Sequence, residues 1–201
     1  MYEEKINAYF DAPERRAELV EAISRLVRIR SVREEPLPGM PFGPGPAAAL
    51  AEGLKLAEEL GFATRNYDNY VGTADLNDKE TALHILCHLD VVGEGTGWTV
   101  TEPYAPKEVD GMLYGRGTDD DKGPVAAVLL AMKAVRDLGL PLSANVRCIL
   151  GTDEESGSAD IAYYYAREPY APMAFTPDAD FPLIHIEKGH YHPDFGAQWE
   201  R

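Results

Sequence analysis

The sequence predicts an α/β fold, three layers α/β/α around a mainly parallel or mixed central sheet. Two observations predict it. Short apolar runs that read as strands alternate with longer segments whose apolar residues recur at helical spacing. Carboxylates and a histidine then gather just past the ends of those runs, where the strands of such a sheet deliver side chains to its rim.

Taken in order, residues 13–29 place Leu19, Ile23, Leu26 and Val27 on one helical stripe. Pro13 near the start suits a first turn, where its missing N–H has no partner to lose. A Pro- and Gly-rich loop spans Glu35 to Pro46, and residues 46–60 read as a second helix stopped by Gly61. Phe62–Asp68 and Tyr70–Leu76 form a hairpin turning at Asn69. Leu83–Leu89 is a short apolar strand, and Asp110-Gly111 within Val109–Leu113 signals a second hairpin. Lys122–Leu138 is the clearest helix: Val125, Val128, Leu129, Met132, Val135 and Leu138 share one face, and Gly139 ends it. Val146–Leu150 is a buried strand, residues 157–166 are helical, and strands follow at Met173–Thr176 and Leu183–Glu187. There is no internal repeat and no low-complexity segment.

The chain of 201 residues holds one sizeable domain or one and a fraction, and 45% hydrophobic residues supply a packed core. Formal net charge is −15, from 34 acids against 19 Lys and Arg. That balance excludes nucleic acid, whose binders are basic, and an anionic membrane surface, as partners. For most of these acids a solvated surface is explanation enough. Cys87 and Cys148 both fall in predicted buried strands, which reads as free thiols in a reducing compartment. The N-terminal MYEEKINAYF has no basic stretch leading into an apolar one, and no apolar run approaches the ~18 residues of a membrane span. The expected location is the cytoplasm.

Five short motifs fall in chain order: His88-Leu89-Asp90, Gly115 to Gly123 (GRGTDDDKG), Asp153-Glu154-Glu155-Ser156-Gly157, Pro177-Asp178, and a further acid at Asp180. One histidine among several carboxylates suits a hard-to-borderline divalent cation such as zinc, manganese or cobalt, and does not suit a thiolate site. His88 and Asp90, two apart at a strand end, share a face. The carboxylate can then accept the imidazole N–H and fix its tautomer. Taken singly, a His-x-Asp pair is also an ordinary core or surface pair. An acid run before a helix also complements the macrodipole. Three acids in a row exceed that need, and two adjacent acids at a sheet rim are no requirement of a fold.

Together, His88-Leu89-Asp90, GRGTDDDKGP, GTDEESG and PDADFP resemble the metal-binding motifs of the zinc metallopeptidase superfamily of aminoacylases, carnosinases, succinyl-diaminopimelate desuccinylases and acetylornithine deacetylases. They are most similar to its bacterial dipeptidase branch, the PepV-like Xaa-His dipeptidases. The resemblance covers nearly all of residues 10–190. It implies a zinc-peptidase-like catalytic domain and two divalent metal ions, zinc first, with manganese or cobalt as the other fitting ions. His88 would bind one metal, with Asp90 orienting it; Asp120 would bridge the two; Glu155 would bind the second; Asp178 would complete the first. Asp180 competes with Asp178, which follows Pro177 at the family position. Glu154 would be the general base toward a metal-bridged water, and a cis peptide is expected at Asp120–Asp121. The implied substrate is a small peptide, a dipeptide before an N-acyl amino acid. A non-catalytic metal-binding module is the alternative of another class, which an acid left free of the metal at Glu154 argues against.

Members of the superfamily continue into a lid or dimerisation domain and take the second metal's last ligand from a distal histidine. Residues 1–189 are therefore expected to be the N-terminal part of the catalytic domain, with 190–201 starting the connection to a missing lid and C-terminal part. His190 and His192 are not assigned to the distal role. The expectation is an incomplete site with little or no peptidase activity from these 201 residues alone.

Overall fold

Five strands form one mixed sheet in the order β1-β2-β6-β3-β7. The computed structural model describes residues 2–179, 184–186 and 189. Three helices come first: α1 (Tyr2–Phe10), α2 (Pro13–Val27) and α3 (Pro44–Glu59). The hairpin β1 (Ala63–Tyr67) and β2 (Val71–Asp75) follows, then β3 (Thr81–His88). A separate two-stranded hairpin, β4 (Lys107–Val109) and β5 (Met112–Tyr114), leads to α4 (Lys122–Asp137). The chain continues through β6 (Asn145–Gly151), a single 3₁₀ turn at Glu154–Ser156, α5 (Ala159–Tyr165) and β7 (Met173–Phe175). β1, β2 and β6 pair antiparallel, while β3 runs parallel to both β6 and β7.

The two hairpins turn where expected. Asp68 and Asn69 take positive φ in the three-residue loop of the first, and Asp110 and Gly111 do so at the second, the left-handed pair that a tight two-residue hairpin demands. Gly61 and Gly139 end α3 and α4 at φ of 87° and 61°.

The main core lies between the sheet and α2, α3 and α4. Leu26, Leu50, Leu89, Val125, Leu129 and Leu150 are all fully buried there, each worth roughly 1.5–3 kcal/mol of apolar burial. Period-2 alternation sends Ile85 and Cys87 of β3, with Cys148 and Leu150 of β6, into this core. Both cysteines are free and buried, as their strand positions predict. The opposite face is smaller. Tyr164 of α5 packs there on Tyr67, Val71 and Ile149, which makes the third layer. Arg147 reaches both oxygens of Asp75 on this face, at 2.8 and 3.0 Å, and donates to the Tyr164 hydroxyl at 3.1 Å.

His84 shares this second face, with Nδ1 3.0 Å from the Tyr165 hydroxyl. Burial lowers its pKa, and the Arg147 charge lowers it further against the weaker pull of Asp75 and Glu168. A histidine depressed in the folded state leaves the unfolded chain binding more protons below about pH 6.5. Its contribution is therefore complete above that pH and is lost as pH falls through the folded value. In urea midpoints from pH 5 to 7 this group adds an upward slope with pH, against the downward slope from the raised buried acids, and His84→Asn should lower the net slope by up to about 1.4 kcal/mol per pH unit. An identical slope in the variant would discard the histidine as its source.

Two elements differ from the expectation. α1 has no buried residue, so no apolar stripe marks it; the Tyr9 hydroxyl, donating to Asp137 and accepting from Lys133, ties it to α4. Of the strand expected at Leu183–Glu187, residues 184–186 carry no regular structure, and its two ends lie outside the described residues. Asp180, His190 and His192 also lie outside them. No helix among the described residues is long and apolar enough to cross a membrane.

Candidate metal centre

Because β6, β3 and β7 run parallel, their C-terminal ends meet at one rim. β3 ends at His88, Glu154 and Glu155 follow β6, and Asp178 follows β7. Asp120 enters from the turn before α4, where the Asp120–Asp121 peptide is cis. Ligand atoms of His88, Asp120 and Asp178 all lie within 4.8 Å of one another.

His88 is buried, and its Nε2 is ringed by oxygens: Asp120 Oδ1 at 2.9 Å, Asp178 Oδ2 at 3.3 Å and Glu154 Oε2 at 4.0 Å. Yet Nε2 makes no hydrogen bond. A buried polar nitrogen among carboxylates that do not meet it in hydrogen-bond geometry fits a cation better than it fits a polar cluster satisfied by itself. Without a cation a proton takes that place. Burial opposes the imidazolium charge, but the hydrogen bond to Asp90 and the charges of Asp121, Asp90 and Asp120 prevail and hold His88 up to about 10.

Asp90 meets both the histidine and the turn after β6. Nδ1 of His88 lies 3.0 Å from the Asp90 main-chain oxygen and 3.3 Å from its carboxylate, so the backbone is the nearer acceptor. The carboxylate accepts the N–H groups of Glu154 at 3.2 Å and Glu155 at 3.1 Å. The expectation that it would chiefly receive the imidazole N–H is refined accordingly: it couples the histidine to the turn bearing both glutamates.

Glu154 is half-exposed at the rim, facing His88. Partial desolvation raises its pKa, helped by Asp178, Asp90 and Asp120 and opposed by His88. Glu155 is raised too, by desolvation first and then by Asp120, Glu154 and Asp90, with His88 opposing. Glu155 stands outside the close group of His88, Asp120 and Asp178. A cavity of about 390 Å³ opens at the centre, with His88, Glu154 and Asp178 in its wall.

Sequence reasoning missed several residues that hold this arrangement. Asp121 is fully buried; its Oδ2 accepts the His88 N–H at 2.8 Å, while Oδ1 has no partner. Burial pushes its carboxyl up to about 7, with Asp178 and Asp120 adding and His88 opposing. Lys122 is also fully buried and donates to the Ile29 carbonyl at 2.7 Å, fastening α4 to the end of α2. Asp160 accepts the N–H groups of Thr152 and Asp153 at 2.6 and 3.1 Å. An acidic residue with a long-range partner looks, in sequence, like any surface acid. The one signal available was the third acid of the Asp119–Asp121 run, beyond what a helix start needs.

Comparison with known proteins places this geometry. The family described as Peptidase family M20/M25/M40 matches residues 84–196, more than half of the chain and all of the motifs above. The chain belongs to this family. Among its relatives is "Putative dipeptidase YtjP" of Bacillus subtilis (strain 168), 42% identical over 177 residues, 87% of this chain and 38% of that protein. Human carnosine dipeptidase 1 superposes with a TM-score of 0.74 at 29% identity, over 89% of this chain and 41% of that one. The M20 family metallo-carboxypeptidase Sso-CP2 from Sulfolobus solfataricus shares the fold, at TM-score 0.64 and 22% identity over 79% of this chain and 37% of that one. The chain thus spans about two fifths of the length of the relatives it matches.

Proposed function

We propose that the protein is a metal-dependent dipeptidase whose general base is Glu154. One observation carries this reading: the buried, unbonded Nε2 of His88 faces Asp120 and Asp178 at ligand-like separations, with a free carboxylate at 4.0 Å. His88, Asp120 and Asp178 would hold one divalent cation, zinc before manganese or cobalt, and Asp120 with Glu155 would contribute to a second. When bound, such ions polarise a carbonyl and lower the pKa of water.

The chain's own residues do the rest. Asp90 and the main chain around it keep the His88 ring turned so that Nε2 faces the cavity. Glu154, raised in pKa and open to the cavity, takes a proton from the attacking water and hands it to the leaving amine. Within this reading residues 1–189 are the N-terminal part of the catalytic domain. The dipeptidase names of YtjP and carnosine dipeptidase 1 support a peptide substrate over an N-acyl amino acid.

The test is a matched panel of dipeptides and N-acetyl amino acids, offered to the full-length protein loaded in turn with zinc, manganese and cobalt. The expected result is kcat/KM at least about tenfold higher for the dipeptides. A preference for the acetyl series would make the protein a deacylase, and bound metal without hydrolysis of either series would sink the enzyme reading.

A further inference from the structure

The turn that presents Glu154 and Glu155 is bonded at every amide. The N–H groups of Thr152 and Asp153 go to Asp160, and those of Glu154 and Glu155 to Asp90. Those of Ser156, Gly157 and Ser158 go to carbonyls within the turn, and Ala159 donates to Asp153 Oδ2 at 3.2 Å. Three buried carboxylates, those of Asp90, Asp153 and Asp160, therefore take up its amides. From outside, one side chain spans it. Nη1 of Arg33 reaches Asp153 Oδ1 at 2.5 Å and the Ser156 carbonyl at 3.4 Å, touching the residues just before and just after the two glutamates.

Arg33 starts from a fixed point. Two residues earlier, Ser31 donates its hydroxyl to the Leu89 carbonyl at 2.6 Å and accepts the Val91 N–H at 3.2 Å, so this loop is fastened to the end of β3 beside His88. The following residue, Glu34, donates its N–H to Phe42 at 3.0 Å. The Arg33 guanidinium lies 5.2 Å from the centroid of the Phe42 ring. The frame that carries the histidine is thus linked through one guanidinium to the turn that carries the glutamates, across 120 residues of sequence.

We propose that Arg33 is a positioning residue, a brace that sets Glu154 and Glu155 against His88. The role in turnover rests on the dipeptidase reading; the bracing of the turn does not. Arg33 also borders a groove of about 510 Å³ shared with Glu155, Val91 and Val92, so a substrate-binding role is the competing account.

Two measurements on the full-length protein decide it. Hydrogen exchange of the 152–159 amides reads the brace directly, with β3 and β6 as internal controls. Arg33→Met keeps the stem over Phe42 and removes the cation. It should raise exchange of the turn about tenfold and leave both strands at wild-type rates. It should also lower kcat about 10–100-fold with KM within about threefold. Arg33→Lys should recover most of both, since a single nitrogen serves both contacts. Unchanged exchange in the turn, or an equal rise in β3 and β6, overturns the brace. An effect confined to KM assigns Arg33 to substrate instead. Glu154→Ala run beside it keeps the two ideas apart. If that variant still turns over, the base assignment falls, while the exchange result stands or fails by itself.

Discussion

Glu154→Ala in the full-length protein is expected to lose about a thousandfold in kcat while retaining its metal. The magnitude follows from the role: a positioned general base contributes typically 10²–10⁴-fold. A factor of a thousand is about 4 kcal/mol of barrier. Retention of metal follows from the geometry. Glu154 Oε2 lies 4.0 Å from His88 Nε2, farther than Asp120 or Asp178, and it stands outside the group whose ligand atoms converge. Stability should barely change, because the side chain is half-exposed and its N–H, which Asp90 receives, survives in alanine. Elemental analysis beside steady-state kinetics makes the check. Turnover within a few-fold of wild type would remove Glu154 from the chemistry, and loss of metal along with turnover would recast it as a ligand.

Gly123→Ala should cost about 3 kcal/mol or more and disturb the site without touching any of its side chains. Gly123 is the second residue of α4, where alanine ordinarily gains about 1 kcal/mol over glycine. Here an added Cβ would stand 2.1 Å from the Thr118 carbonyl oxygen. That atom belongs to backbone, so no rotamer relieves the clash, and overpacking of this kind outweighs the propensity gain. The segment forced to move carries Asp120 and Asp121, the one a candidate ligand and the other the acceptor of the His88 N–H. Urea midpoints and a metal titration should both fall in the variant. Gly139→Ala offers the contrast: its surroundings are open, and only the left-handed backbone at φ 61° opposes the new side chain, at about 1–2 kcal/mol. A Gly123 variant no less stable than the Gly139 variant would mean that the loop yields freely.

Much of this was legible before any fold was in hand, for local reasons. The α4 stripe announces its buried face through 3.6-residue spacing, and Val125, Val128, Leu129 and Met132 are indeed buried. Asn69 and Asp110-Gly111 mark turns because few side chains tolerate positive φ. His88, Glu154 and Asp178 could be picked out because each follows an apolar run, and runs of that kind end at a rim. The order β1-β2-β6-β3-β7 was not legible, since periodicity says which face of a strand is apolar and nothing about its neighbours. Nor was α1, which has no buried residue and meets α4 through Tyr9 rather than through an apolar stripe.

By itself the sequence determined the layered α/β class, the positions of most elements and the group of residues around which a cation site could be built. Those properties reside in single segments, where spacing and residue type act over a few positions. Only the tertiary structure decided how the site is held. It showed His88 Nε2 without a hydrogen bond, Asp90 spent on the backbone of the glutamate turn, and Asp121 beneath the histidine. It also gave Gly123 its reason in the Thr118 carbonyl, and Arg33 its partner 120 residues away. The Gly123 approach is local but depends on how the turn folds back; the others depend on segments distant in sequence, which meet only when the parallel strands bring their ends to one edge.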